Sequence, residues 1–384
     1  PRTPRTMAPP TPRPNMKKFG SPLYASTWAD HRTLIVAGGG GKKSSGIPNR
    51  IMVATFDGEE LTESLSAVHT GDSAPQGLVR HPAGKHLVCI FSGDVAVYDI
   101  ERTGNVLAEN EESDAPSPEE TSPVTLTPRD KDADGAAVHI TLASEVDIKC
   151  AAFHPDGKIF AIGLETGEIQ LCTWPELKVT KTLGKHSERV TGIAFSPDGK
   201  FILTTSAEPA NKPDKGAAVW SVSAGERVRT LSDPTLPPNA RGTVYRFAGF
   251  GPGDSGMAYT GLNLGGEGHV VKWETEGWTV ASKAKITRDP ISAMALAPDG
   301  SSLAVGNSEG HVSVVDAGTL RVRSVDKGAH MIFVTTMAYS TDSSAVLSGS
   351  ADASACATRV PQRAGAATAL TYLMLAAVAL ILAW

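Results

Sequence analysis

A bulky residue closing a short apolar run recurs along the chain in Phe56-Asp57, Tyr98-Asp99, Trp174-Pro175, Trp220-Ser221, Trp273-Glu274 and Val315-Asp316, with Thr358 as a degenerate last copy. The spacings are 42, 76, 46, 53, 42 and 43 residues. A second landmark precedes the first in each unit. His154-Pro155-Asp156-Gly157-Lys158, Ser196-Pro197-Asp198-Gly199-Lys200 and Ala297-Pro298-Asp299-Gly300 are its clearest copies, and Pro82, Pro252 and Thr341 mark weaker ones. Each unit therefore reads as apolar run, turn, apolar run, landmark, with strand-length runs throughout.

A period of 40 to 45 residues with this dipeptide is the pattern of a WD-repeat β-propeller, one four-stranded blade per repeat. Seven landmarks predict an all-β, seven-bladed propeller over residues 16–360. The distance from turn to landmark is 16 residues from Pro82 to Tyr98, 17 from Pro298 to Val315 and 17 from Thr341 to Thr358. In the first unit the equivalent turn is near Ala29-Asp30-His31, about 27 residues before Phe56. The surplus is a Gly-rich loop, residues 38–50, between the second and third strands of blade one and on the face opposite the Pro-Asp-Gly turns. The 76-residue gap holds the other insertion, residues 101–136, which is rich in Glu, Ser and Pro and expected to be disordered; aligning Ile140 to Ser144 with Lys181 to Lys185 puts it before the outer strand of blade two, and a placement after that strand is nearly as defensible. The last unit has room for three strands, so Lys17 to Leu23 is expected to supply the fourth and close the ring.

The formal charge of −5 is local: residues 101–135 hold ten acids and three bases. The near-neutral remainder offers no electrostatic case for nucleic acid. Cys89, Cys150, Cys172 and Cys356 form no CxxC pair and read as free, mostly buried thiols in a reducing compartment. Residues 1–15, PRTPRTMAPPTPRPN, are expected to be disordered, with Met16-Lys17-Lys18-Phe19 a candidate natural start. The run from Ala364 to Trp384 is 21 uncharged residues, long enough for a transmembrane helix, and a buried C-terminal helix is the bland alternative. Arg359 and Arg363 on its N-terminal side place the propeller in the cytosol, and no lumenal tail is expected after Trp384.

Gly38 to Arg50, GGGGKKSSGIPNR, stands between the runs Thr33-Leu34-Ile35-Val36-Ala37 and Ile51-Met52-Val53-Ala54-Thr55-Phe56. It resembles a phosphate cradle only at first sight. Gly41-Lys42 is followed by Lys43 instead of Ser or Thr, and Pro48 with a β-branched run replaces the helix that would bind phosphate. Backbone carbonyls in such a turn can instead converge on a cation assisted by Ser44, Ser45 or Asn49, with Gly38, Gly39, Gly40 and Gly41 supplying the tight backbone. The tip, Ile47, Pro48 and Asn49, combines an apolar probe, a stiff residue and an amide. Hydrolytic and redox equipment is not visible. His69, His81, His86, His154, His186 and His330 lack metal-ligand spacing and read as structural.

A seven-bladed degenerate WD-repeat propeller with GGGG…GIPN in blade one and an apolar C-terminal run resembles the Sec-twelve proteins of yeast and plants and the prolactin regulatory element-binding protein of animals. The likeness covers the chain from about Met16 to Trp384. It implies a guanine-nucleotide exchange factor that activates the SAR-type small GTPase at the endoplasmic-reticulum membrane and starts COPII coat assembly and ER-to-Golgi transport. It implies, further, that Ile47, Pro48 and Asn49 engage the GTPase, that Gly38 to Gly41, Ser44, Ser45 and Asn49 hold K+, and that the chain itself binds no nucleotide. Two other readings stay open: an exchange-inactive relative serving as a trafficking adaptor, as in a plant phosphate-transporter exit factor, and a generic membrane-bound WD-repeat scaffold.

Overall fold

The computed structural model describes residues 13–102 and 124–361, apart from single residues 134, 144, 213 and 254. Within them the chain forms seven antiparallel sheets. Blade one comprises Leu23–Trp28, Thr33–Gly38, Arg50–Thr55 and Ser66–His69, from the inner strand outward. Blades three to six follow the same order over residues 148–185, 190–231, 244–287 and 291–326. The inner strands contact one another in sequence around the ring, and Val334–Tyr339 of blade seven lies against Leu23–Trp28 of blade one. The seven-bladed all-β architecture is thus as the spacing predicts.

Alternation along the strands explains the packing. A blade buries both faces against its neighbours, so middle strands such as Thr33–Gly38 and Ser302–Asn307 are buried at every position. Each gap between blades holds an apolar cluster; between blades one and two it includes Ile35, Ile51, Val53, Leu87, Phe91 and Tyr98. The outer strands, such as Arg227–Leu231, are mostly exposed.

The turn landmark has a local cause. Gly157, Gly199 and Gly300 have φ near +70° (74°, 71° and 68°), and the preceding Asp accepts a hydrogen bond from the backbone N–H two residues on: Lys158 to Asp156 at 2.8 Å, Lys200 to Asp198 at 3.1 Å and Ser301 to Asp299 at 2.9 Å. Two of the histidines tie neighbouring turns together. His81 Nε2 lies 3.0 Å from Gly157 O and His154 Nε2 lies 3.2 Å from Gly199 O, so each ties its own turn to that of the next blade.

Two of the landmark aromatics, Trp220 and Trp273, have a polar task as well. Trp220 Nε1–H donates to Thr204 Oγ1 at 2.8 Å, and the same hydroxyl lies 2.8 Å from His186 Nε2. His186 Nδ1 is 3.1 Å from Glu208 Oε2. Burial keeps His186 neutral by lowering its pKa against the pull of Glu208, so the chain of donors runs from Trp220 through Thr204 and His186 to the carboxylate. Blade five repeats the first step, with Trp273 Nε1 donating to Thr260 Oγ1 at 2.9 Å. The four cysteines are free, and burial pushes the thiols of Cys150 and Cys172 up to about 12 and that of Cys356 up to about 11. They are inert packing groups.

Three expectations need correction. Ring closure uses Met16–Lys18, paired antiparallel with Ser354–Arg359, whereas Leu23 opens the inner strand of blade one. Within the span expected to be disordered, Val124–Pro128 pair with Tyr98 to Arg102, while Ile140–Thr141, beyond that span, pair with Asp94 and Val95. The outer strand of blade two is therefore split in two, because the third strand, Asp94–Arg102, is nine residues long and leaves edge for both pieces. Arg13 to Asn15, read as disordered, are packed: Arg13 Nη1 bonds Asp326 Oδ1 at 3.1 Å and Asn15 Nδ2 bonds Ala357 O at 3.0 Å. Residues 1–12, residues 103–123 and the apolar segment Ala364 to Trp384, read as a transmembrane helix, lie outside the described residues. Among the described residues no helix is long and apolar enough to cross a membrane, and the only helical turn is the 3-10 segment Lys43–Ser45. Residues 13–361 hold all seven blades and the closing strand, a unit with its own core.

Deleting residues 1–18 is expected to leave the edge of Ser354–Arg359 unpaired. Light scattering then rises with concentration and the melting temperature drops by several degrees, both measurable in one thermal ramp. Burial also pulls the pKa of His330 from 6.5 to about 4, with Asp352 and Asp326 opposing; its ring is held between Ser354 Oγ at 2.6 Å and Ser348 Oγ at 2.8 Å. The unfolded chain's imidazole takes up a proton before the folded one does. Stability contributed by this group is thus complete above about pH 6.5 and is lost as pH falls toward 4, by up to about 3 kcal/mol, with His186 acting in the same sense. Urea unfolding of His330→Gln between pH 7 and 4 is expected to show a shallower pH slope than the parent.

Candidate functional site

The second strand of blade one ends at Gly38, directly opposite Arg50 at the start of the third, so residues 39–49 project from a closed hairpin base. The glycines are required by crowding at this base. A Cβ on Gly38 would lie 1.9 Å from Pro22 O, one on Gly39 would lie 2.1 Å from Asn49 Oδ1, and one on Gly40 would lie 2.3 Å from Ser45 Oγ. Gly41 and Gly46 have room but take φ of +77° and +71°. The loop is folded back on itself around these contacts.

Asn49 organises it. The sequence reading puts Asn49 at an exposed tip, but its side chain is buried and fully engaged. Its Oδ1 accepts from Gly41 N–H at 2.9 Å, and its Nδ2 donates to Gly41 O at 2.6 Å and to Gly71 O at 2.9 Å. One amide thereby joins the two ends of the loop to the connection that follows blade one. The reason lies in the neighbouring glycines: only without side chains at 38 to 40 can the backbone approach close enough for an amide to bridge it. Ser21 Oγ adds a bond to Pro48 O at 3.1 Å, and Gly39 N–H donates to Pro22 O at 3.0 Å.

Ile47 and Pro48 remain exposed beyond this clamp, with Ile47 at 39%. Ser45 Oγ accepts from Ile47 N–H at 3.2 Å, and Ser45 N–H donates to Lys42 O at 2.9 Å, so the short helical turn braces the tip from beneath. A hollow of about 360 Å³ lined by Ile47, Pro48, Asn49, His69 and Asp72 lies on one side. A second of about 540 Å³, lined by Tyr24, Gly39 to Gly41 and Phe333, lies on the other.

Of the oxygens expected to hold a cation, Gly41 O and Asn49 Oδ1 stand together, and Gly71 O, which sequence reasoning missed, joins them across the amide of Asn49. Nothing local in the sequence marks Gly71; it is brought in by the return of the next connection. These neutral oxygens would suit a monovalent ion better than a transition metal, but here each faces an N–H donor, Gly41 O and Gly71 O the Asn49 amide and Asn49 Oδ1 the Gly41 N–H, so the amide itself ties the carbonyls together. Ser45 lies against Gly40 instead of in this group. Among the described residues no three His, Cys, Asp or Glu side chains gather as a metal centre.

SEC12-like protein 2 of Arabidopsis thaliana is 24% identical over 388 residues, covering 91% of this chain and 88% of that protein. SEC12-like protein 1 of the same plant is 23% identical over 78% of this chain and 68% of its own length. The guanine nucleotide-exchange factor SEC12 of Rattus norvegicus is 23% identical over 83% of this chain and 81% of its own. A family model described as eukaryotic translation initiation factor eIF2A matches residues 133–233, the stretch that holds the two most regular turns. The chain is similar to SEC12 proteins over most of its length.

The geometry predicts that Gly39→Ala and Asn49→Ala loosen the same unit. Hydrogen exchange at the Gly41 amide is expected to accelerate at least tenfold in either variant, while amides of Ile162 and Val305 in distant blades keep their protection.

Proposed function

We propose that this SEC12-like propeller is a guanine-nucleotide exchange factor for a SAR-type small GTPase at the endoplasmic-reticulum membrane, acting at the start of COPII assembly and ER-to-Golgi transport. The observation that carries the reading is the exposed Ile47-Pro48 tip standing on a loop whose base is locked by one buried amide. The name of the rat relative, a guanine nucleotide-exchange factor, supports it.

The activity needs no covalent step. A partner that binds tightly without nucleotide and weakly with it must, by linkage, lose nucleotide affinity when bound. GDP leaves, and the more abundant GTP replaces it. For such coupling the probe must keep its shape when pressed against a nucleotide pocket, since ordering a floppy loop would consume the binding energy. Asn49 meets this requirement by positioning. Ile47 supplies an apolar contact and Pro48 a fixed backbone. A monovalent cation such as K+ at Gly41 O, Gly71 O and Asn49 Oδ1 would have to replace the hydrogen bonds of the Asn49 amide, and when bound it would supply a fixed positive charge in place of that amide's N–H groups.

The membrane anchor in this reading is the apolar run Ala364 to Trp384. Ser354–Arg359, a third strand like Arg50–Thr55, runs from the Gly-rich face toward the Pro-Asp-Gly face. An anchored propeller therefore presents its Gly-rich face away from the bilayer and into the cytosol, where a soluble GTPase reaches it.

Release of a fluorescent GDP analogue from a SAR-type GTPase, followed with residues 13–361, tests the proposal. Acceleration by the parent is expected, with Asn49→Ala and Ile47→Ala each slowing release about tenfold or more, equivalent to about 1.4 kcal/mol. No acceleration by the parent would favour the adaptor reading, and equal acceleration by all three proteins would move the exchange site away from this loop.

A further inference from the structure

The connection between blades six and seven displays three consecutive large apolar side chains to solvent: Met331 at 83% exposure, with Ile332 and Phe333 also exposed. Eleven large hydrophobic residues are exposed among the described residues. Val179, Val228, Val322 and Val325 stand on outer strands, and Leu65 and Val138 just before them, where single exposed residues are ordinary. The other five stand where strand order puts the Gly-rich loop and the connections into the inner strands on one face: Ile47 on the loop, Tyr24 at the start of the inner strand of blade one, and Met331, Ile332 and Phe333 on the connection into blade seven. Thr335 Oγ1 bonds Leu23 O at 2.5 Å there, and Tyr24, Gly39 to Gly41 and Phe333 line one hollow. The apolar connection and the Gly-rich loop are thus continuous.

This connection is built, not slack. Its backbone is held from beneath at each step, by Met331 N–H to Asp352 Oδ2 at 2.7 Å, Ser350 Oγ to Phe333 O at 2.9 Å and His330 N–H to Gly310 O at 3.1 Å. Gly310 is required for the fit, since a Cβ there would meet His330 O at 2.4 Å and Ile332 O at 2.6 Å. Buried His330, fixed between Ser348 and Ser354, anchors the segment to the sheet. With these polar groups turned inward, the three apolar side chains are exposed to solvent. Groups held rigidly in an unfavourable medium are what a docking surface requires, because little ordering cost remains when a partner covers them.

We infer that Met331, Ile332 and Phe333 form a second anchor of the same interface as Ile47 and Pro48, taking an apolar area of the small GTPase beside the region that the loop engages. This rests on the exchange reading for the partner's identity. Continuity of the two elements across one hollow argues for a single partner spanning both. The strand leading to the apolar C-terminal run ends on the opposite face, which argues against the same bilayer as occupant. The anchor differs in kind from the loop: it holds the partner without pressing on the nucleotide, so it governs affinity and not the maximal rate.

The test uses residues 13–361 with Met331→Ser/Phe333→Ser, solvent-facing changes expected to leave the melting temperature unchanged, and Ile47→Ala alongside. In GDP release, the double variant is expected to raise the concentration for half-maximal acceleration about tenfold while the maximal rate stays within about twofold. Parent and double variant with equal half-maximal concentrations would overturn the inference and leave the exchange reading standing. If the parent accelerates nothing, that reading fails, and the inference is judged by pull-down of nucleotide-free GTPase. Binding lost in the double variant would uphold it; equal binding, or none by either protein, would overturn it. Co-sedimentation with phosphatidylcholine/phosphatidylserine vesicles, or self-association in sedimentation, that the double variant loses while its GDP release matches the parent's would assign the patch to lipid or to a second copy and overturn it as well.

Discussion

The pairing of Met16–Lys18 with Ser354–Arg359 is the constraint on which the rest depends. An open row of blades would end in exposed sheet edges and unfilled gaps; closure covers the edge of the third strand of blade seven and completes the seventh inter-blade cluster, in which Phe19, Leu23 and Trp28 meet Leu347 and Ala357. Arg13 and Asn15 extend the seal to Asp326 and Ala357. Closure also does something for the surface. It sets Gly39 to Gly41 of the loop beside Phe333 on one hollow, although nearly the whole chain separates them in sequence.

The repeats tolerate degeneracy because each carries two kinds of information. Apolar positions fill the gaps between blades and accept any residue of suitable volume. Polar links are more specific, yet different residues serve in different blades. Blade four uses Trp220, Thr204, His186 and Glu208; blade five keeps the Trp273 to Thr260 step; blade seven has no aromatic landmark and holds His330 between two serines. In each case a buried donor or acceptor has a partner, which is the physical requirement; the identity of the aromatic is secondary.

Against that regular background the Gly-rich loop is an insertion with its own internal order. Its glycines permit a close approach of two backbone segments, and Asn49 uses that approach to satisfy three polar groups with one amide. The exposed residues then need no contacts of their own to stay in place. The 331–333 connection solves the same problem differently, with side chains of Asp352 and Ser350 holding its backbone from the sheet below.

Much of this was legible in the residues. Landmark spacing yields the blade count because each blade needs a similar length of chain, and turn-to-landmark distance locates the Gly-rich insertion because the strands on either side are of constant length. The cradle glycines, the apolar tip and the structural histidines follow from residue chemistry. Tertiary structure alone decided the rest. Val124–Pro128 became a strand because the long third strand of blade two left an edge to pair, although acidic, Pro-rich sequence precedes it. Asn49 turned inward because a buried amide facing three backbone groups gains more than an exposed one does in water. The contribution of Gly71 arises when the connection after blade one returns to the loop, and the hollow shared by Tyr24, Gly39 to Gly41 and Phe333 exists only after the ring closes, since these join segments that no local pattern relates.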